Sequence, residues 1–167
     1  MAQFTHLDQQ GRVRMVDVSG KDVTCRLAVA RALVSMQAAT FEKIVSNQSR
    51  KGNVLETARI AGVMAAKQTH LLIPMCHPIC IRHVQVDFYP DKDAGCFEIR
   101  AAVRADDRTG VEMEAMTAVS VAALTVYDMC KSHDRAMTIS EVCLVEKSGG
   151  KSGHFVRSGE IPEDSEA

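Results

Sequence analysis

The stretch IRHVQVDFYPDKDAGCFEIRAAVR, residues 81–104, decides the fold class. In its first half Val84, Val86 and Phe88 alternate with His83, Gln85 and Asp87; in its second, Phe97, Ile99, Ala101 and Val103 alternate with Glu98, Arg100, Ala102 and Arg104. A period of two sorts side chains onto opposite faces of a pleated strand, so each half predicts a strand with one dry face. The Pro, Asp and Gly of the intervening PDKDAG suit a hairpin loop, which makes the pair antiparallel. A third strand is predicted from Met137 to Glu146. Its apolar phase slips between Ile139 and Val142, the mark of a bulge near Ser140 and Glu141.

Helical spacing surrounds these strands. From Asn53 to Thr69, Leu55, Ala58, Gly62 and Ala65 recur on one face, Ala61 and Ala66 widen a small-residue surface, and Asn53 is placed to cap. The segment from Val111 to Lys131 is apolar nearly all round, which predicts a helix buried against a sheet or a subunit interface, with Thr109 and Glu112 spaced as a capping box. Residues 38–47 read as helix, while 26–36 stay open between strand and helix. Hairpin-linked strands mixed with helices in this way give an α+β fold, with helices packed on one face of an antiparallel sheet.

Composition narrows the function classes. A chain of 167 residues, 46% hydrophobic and 25% charged, is ordinary for a soluble globular protein. The last ten residues, SGEIPEDSEA, hold four acids and no base, so 158–167 is read as a disordered acidic tail and 1–157 as a single catalytic domain. Without the tail, 20 basic residues face 17 acidic ones, a mild bias toward anionic ligands. Aromatics are 4% of the chain and Trp is absent, a poor basis for nucleic-acid binding. The longest stretches free of charged residues fall short of the roughly 18 to 20 apolar residues of a membrane span. With no secretory signal pattern at the N-terminus and six scattered cysteines that read as reduced thiols, the expected location is cytoplasmic.

Polar residues where a plain core has no use for them supply the candidates. The buried-looking helix begins Glu112-Met113-Glu114 and ends Asp128-Met129-Cys130-Lys131. Acids near a helix N-terminus are what the macrodipole favours, but Asp128 stands at the unfavourable end, three residues from Lys131. Pro74 and Pro78 frame a turn that presents Met75, Cys76 and His77. Cys76, His77 and Cys80 invite a zinc reading, yet a structural site wants four ligands and no second pair accompanies them. Lys147-Ser148-Gly149-Gly150-Lys151-Ser152-Gly153 fails the Walker pattern, because Val145 stands where its first Gly belongs. Glycines with two Lys and two Ser can still cradle phosphate in a backbone nest. Arg50-Lys51-Gly52 adds a basic loop just before the helix at Asn53.

Taken together, the motifs resemble one family. Residues 15–19 (MVDVS), 51–62 (KGNVLETARIAG), 72–78 (LIPMCHP), 109–115 (TGVEMEA), 127–131 (YDMCK) and 147–153 (KSGGKSG) look, in order, like the cyclic pyranopterin monophosphate synthase family, the C protein of molybdenum cofactor biosynthesis. The resemblance runs from about Thr5 to Arg157. It implies a ferredoxin-like fold, a homohexamer built as a trimer of dimers, and active sites at a subunit interface. It also implies a lyase, specifically a phosphorus-oxygen lyase, that turns (8S)-3′,8-cyclo-7,8-dihydroguanosine 5′-triphosphate into cyclic pyranopterin monophosphate and pyrophosphate. The substrate would come from a radical SAM GTP 3′,8-cyclase.

By the same match, Asp128 is the catalytic acid/base with Lys51 and Lys131 as catalytic partners, and Met75, Cys76, His77, Met113 and Glu114 bind substrate. Chemistry adds Glu112, whose carboxylate suits guanidine-like N–H groups, and Lys147 and Lys151, whose charges suit a triphosphate. Asp17 and Arg26 match the pattern without a role. No cofactor or bound metal is required by the match, and magnesium accompanying the phosphates is left open. The rival reading is a non-enzymatic nucleotide- or metal-binding regulatory module with Cys76, His77 and Cys80 on zinc.

Overall fold

The structure, a computed structural model, describes residues 8, 10–47 and 52–162, so Lys51 and Arg50 lie outside the described residues. In chain order it contains β1 (Thr24–Ser35), α1 (Ala38–Val45), α2 (Val54–Lys67), α3 (Thr69–Leu72), β2 (Ile81–Asp91), β3 (Cys96–Asp107), α4 (Glu112–Cys130), β4 (Thr138–Ser148) and β5 (Phe155–Val156). The five strands form one sheet in the order β2-β3-β1-β4-β5, each neighbour antiparallel. This β-α-β-β-α-β succession, with β1 inserted between β3 and β4 and helices on one face, is the ferredoxin-like α+β arrangement.

The hairpin at 81–104 forms as its alternation requires, pairing from Asp91↔Cys96 back to Ile81↔Ala105. Its loop is closed by Asp91, whose Oδ1 accepts the Ala94 N–H at 2.9 Å, and by Gly95 at φ +63, a left-handed position natural to Gly. The undecided stretch 26–36 belongs to the central strand β1. Ala28, Ala30, Ala32 and Val34 face the main core, while Leu27 and Val29 join Ala102 and Val145 in a second cluster on the other side of the sheet. Burial on both faces erases the alternation that marks a strand.

In β4 the expected bulge is present, with Glu141 at φ +50 where the pairing passes from Arg31↔Cys143 to Leu33↔Ser140. A second slip, from Val29↔Glu146 to Ala30↔Leu144, leaves Val145 unpaired and has no counterpart in the apolar phase.

Helices α2 and α4 cover the sheet. The small-residue face of α2 meets α4 at Gly62, where a Cβ would stand 3.0 Å from the Ala118 carbonyl oxygen and 3.4 Å from the Ala122 Cβ. Asn53 does cap α2, its side chain accepting the Glu56 N–H at 3.1 Å. Replacing it, Asn53→Ala, is expected to cost about 1 kcal/mol, read as a lower urea midpoint at fixed protein concentration with an unchanged slope. The capping box of Thr109 and Glu112 is not formed: buried Val111 occupies the cap position, without a side-chain cap, and α4 begins at Glu112. Core burial of Val111 sets the helix start and leaves the first N–H groups of α4 without a side-chain cap.

Beyond α4, Asp134 is 2% exposed and accepts the Gln37 N–H at 2.8 Å and the Ala136 N–H at 3.0 Å, tying the α4–β4 loop to the start of α1. On the face away from the helices, Arg31 and Arg100 stand opposite each other and share Glu98 and Glu160. Glu160, which the sequence reading assigns to the acidic tail, has a side chain 10% exposed, 2.8 Å from Arg100 and 3.3 Å from Arg31.

Candidate active site

Two adjoining cavities open around the N-terminal end of α4. The larger, about 470 Å³, is lined on its charged side by Lys21, Arg26, Arg108, Glu112, Lys147 and Lys151. The smaller, about 250 Å³, is lined by Met75, Cys76, His77, Glu112, Met113 and Glu114. Thr109, Gly110 and Glu112 belong to both walls, so the two read as arms of one bent site.

The cationic arm owes its shape to the glycine-rich loop after β4. Gly149 and Gly150 have φ of +91 and +74. A Cβ on the first would collide with the Cys25 carbonyl oxygen, and one on the second with the Arg26 guanidinium. Only glycine lets the loop lie this close to β1. Lys147 Nζ bonds to Ser152 Oγ and stands 3.6 Å from Glu112 Oε1. Arg26 is 9% exposed and its Nε donates to the Asp107 carbonyl at 3.1 Å. It stands two residues before Ala28 on the same, otherwise apolar, side of β1, a charge on a dry face that the sequence could have signalled had the strand been settled. Lys21 and Arg108, by contrast, sit in loops, where no periodicity marks them.

The second arm is drier. Glu114 is 3% exposed, and burial, with smaller contributions from the Glu112 and Asp107 carboxylates, pushes its carboxyl up to about 7. Burial, together with the Glu114 charge, also raises the Cys76 thiol. The Asp17 carboxylate is held below its usual range by the Ser19 N–H at 2.8 Å, with Arg14 and His77 adding weaker positive fields. Asp17 therefore belongs to the neighbourhood of His77. Cys76, His77 and Cys80 do not form a metal cage: among the described residues no group of three or more His, Cys, Asp or Glu side chains could hold a metal ion. All six cysteines are free thiols.

Asp128 and Lys131 are elsewhere. They sit at the C-terminal end of α4, with Lys131 Nζ bonding Asp128 Oδ1 at 2.5 Å and side chains 52% and 63% exposed. The bond to Asp128 raises the Lys131 ammonium above its usual value. Asp128 stands sixteen residues along the helix from Glu112, about 24 Å at 1.5 Å per residue. The structure thus brings Met75, Cys76, His77, Glu112, Met113, Glu114, Lys147 and Lys151 together and keeps Asp128 and Lys131 apart from them. Leu124, one turn before Asp128, is 57% exposed.

A sequence model of the MoaC family matches residues 15–150, most of both arms and both ends of α4. The chain belongs to the MoaC family. A relative in Desulforapulum autotrophicum is 62% identical over 156 residues, covering 93% of this chain and 96% of that protein. One in Desulfatibacillum aliphaticivorans is 60% identical, over 95% of this chain and 100% of that protein. One in Roseiflexus sp. is 56% identical, over 93% and 99%. Each carries the name cyclic pyranopterin monophosphate synthase. Among the family's matched residues are the two glycines that shape the cationic arm, Gly149 and Gly150.

Proposed function

We propose that the chain is a lyase of molybdenum cofactor biosynthesis that converts (8S)-3′,8-cyclo-7,8-dihydroguanosine 5′-triphosphate to cyclic pyranopterin monophosphate and pyrophosphate. The observation that carries this is the bent site itself, whose two arms differ in charge as the two ends of that substrate do. The triphosphate lies in the cationic arm, against Arg26, Lys147 and Lys151, with its charge facing N–H groups of the glycine-rich loop. The guanine-derived end enters the drier arm, where Glu112 and Glu114 accept N–H groups of its guanidine-like edge and Met75, Cys76, His77 and Met113 shape the wall.

Rebuilding the imidazole ring of the base as a pterin moves several protons. Closing the cyclic phosphate requires in-line attack at the α-phosphorus with pyrophosphate leaving. Asp128 and Lys131 are the acid and base groups assigned to those transfers, and the family match adds Lys51 as a further catalytic partner. The length of α4 between Glu112 and Asp128 supports a site that Asp128 and Lys131 of a second copy complete. Exposed Leu124, Ile60 and Met64 on the helical face give that copy apolar surface to cover. The assembly is a homohexamer, a trimer of dimers.

Magnesium, in this reading, arrives with the phosphates. With Glu112 turned to the base, Asp22 is the other carboxylate that lines the cationic arm, and magnesium at phosphates is commonly held by one or two carboxylates and water. The radical enzyme that cyclises GTP supplies the substrate. Among the described residues no helix is long and apolar enough to cross a membrane. The location in this reading is the cytoplasm, where thiols such as these stay reduced.

Incubating purified protein with the cyclic dihydro-GTP intermediate tests the assignment. Stoichiometric pyrophosphate and pterin are expected, and their absence from folded, assembled protein would sink it.

A further inference from the structure

The seven residues 147–153 begin at the end of β4, where Lys147 and Ser148 pair with Ala28 and Leu27 of β1, and run on toward β5, which pairs with β4 only at Glu146↔Val156 and Lys147↔Phe155. Three of the seven are glycines with φ between +68 and +91, backbone that gains much freedom when released. Inside the loop the bonds are few: Gly153 N–H to the Gly150 carbonyl at 3.3 Å, and Lys147 Nζ with Ser152 Oγ. The side chains that flank the loop, however, meet. Glu146, just before it, is 1% exposed, and its Oε1 lies 2.8 Å from Nε2 of His154, just after it, whose side chain is 51% exposed. A side chain so buried gains from each close polar partner, and the His154 ring nitrogen stands within hydrogen-bond distance of it.

We propose that His154 is a positioning residue for the phosphate-binding loop, acting through Glu146: the pair latches the returning arm so that Lys147 and Lys151 face the cationic arm of the site together. The inference rests on reading that arm as the triphosphate end. His154 itself does not line either cavity. The latch therefore contributes order before the ligand arrives rather than a contact with it. Without it, the loop's ordering entropy is charged to binding, which weakens affinity and leaves the chemical step alone.

The experiment titrates inorganic pyrophosphate by calorimetry into the full-length assembled protein and its variants, alongside steady-state kinetics. His154→Ala is expected to bind pyrophosphate about tenfold more weakly, with KM raised by the same factor and kcat within about twofold. His154→Gln keeps an N–H donor and is expected to recover most of the affinity. If His154→Ala does not assemble, His154→Phe carries the test, because it keeps the ring's bulk without the donor and should behave as expected of Ala. Wild-type affinity in the donor-less variant, a fall in kcat at unchanged KM, or a Gln variant no better than Ala would each overturn the latch. Failure of the wild-type protein to bind pyrophosphate would overturn the phosphate reading of the cavity, and the latch with it.

Discussion

Lys131→Ala and Asp128→Asn are each expected to lower turnover by about 100- to 10,000-fold, the usual loss for a positioned acid or base, while melting close to wild type. Both side chains are more than half exposed, and an exposed pair contributes little to stability. Their effects should overlap rather than add, because the 2.5 Å bond makes them one proton-handling unit. The stronger test is complementation. Lys131→Ala and Glu112→Gln are unfolded and refolded together in equal amounts. If a site takes its base-binding half from one subunit and Asp128 with Lys131 from its neighbour, random mixing restores roughly a quarter of wild-type activity, as two-fold pairing of the halves requires. Activity no higher than the sum of the two variants would show that both halves act within one chain, against the 19-residue helix between them. Variants that melt many degrees lower, with activity tracking the unfolded fraction, would make these residues structural.

The division of the site was written in the sequence but not in its motifs. Glu112 and Asp128 open and close one apolar run, and a rise of about 1.5 Å per residue already separates them by more than a small substrate spans. Motif order alone places no residue in space. What was legible had one wet side: the hairpin at 81–104 shows its period because His83, Gln85 and Asp87 face away from the core. Strand β1 was not legible, since Leu27 to Ala30 are dry on both faces and carry no alternation. That ambiguity hid Arg26, which is informative only once β1 is a strand and its charge is seen to share a face with Ala28 and Ala30. The Thr109 capping box failed because burial of Val111 outweighed one side-chain hydrogen bond. The Val145 slip leaves no trace in the apolar pattern, as both it and its neighbours on the far face are buried within the same small cluster.

Glu114→Gln is expected to stabilise the protein above pH 7 and to leave it unchanged in acid. The carboxyl of Glu114 rises from 4.5 to about 7 in the folded chain, chiefly because it is 3% exposed. Between those two values the folded protein keeps a proton that the unfolded chain has lost, so stability falls as pH rises through that window and levels off above about 7. A shift of this size corresponds to on the order of 3 kcal/mol, which the neutral amide would not lose. Denaturant midpoints measured from pH 4 to 8 should therefore coincide for the two proteins at the acid end and separate toward neutrality, with the variant the more stable. Activity should move the other way. An ionised Glu114 accepts N–H groups of the guanidine-like edge, and that contact draws its proton off when substrate binds, so wild-type KM falls as pH rises toward 7. The variant can offer one amide oxygen and no charge, so its KM is higher and this part of its pH dependence is lost. Parallel stability profiles in the two proteins would mean that the Glu114 carboxyl titrates alike in the folded and unfolded chain, and parallel KM profiles that its proton is not linked to the base-binding arm. Opposite signs in the two measurements are what a carboxylate kept at a cost to folding for the sake of binding produces.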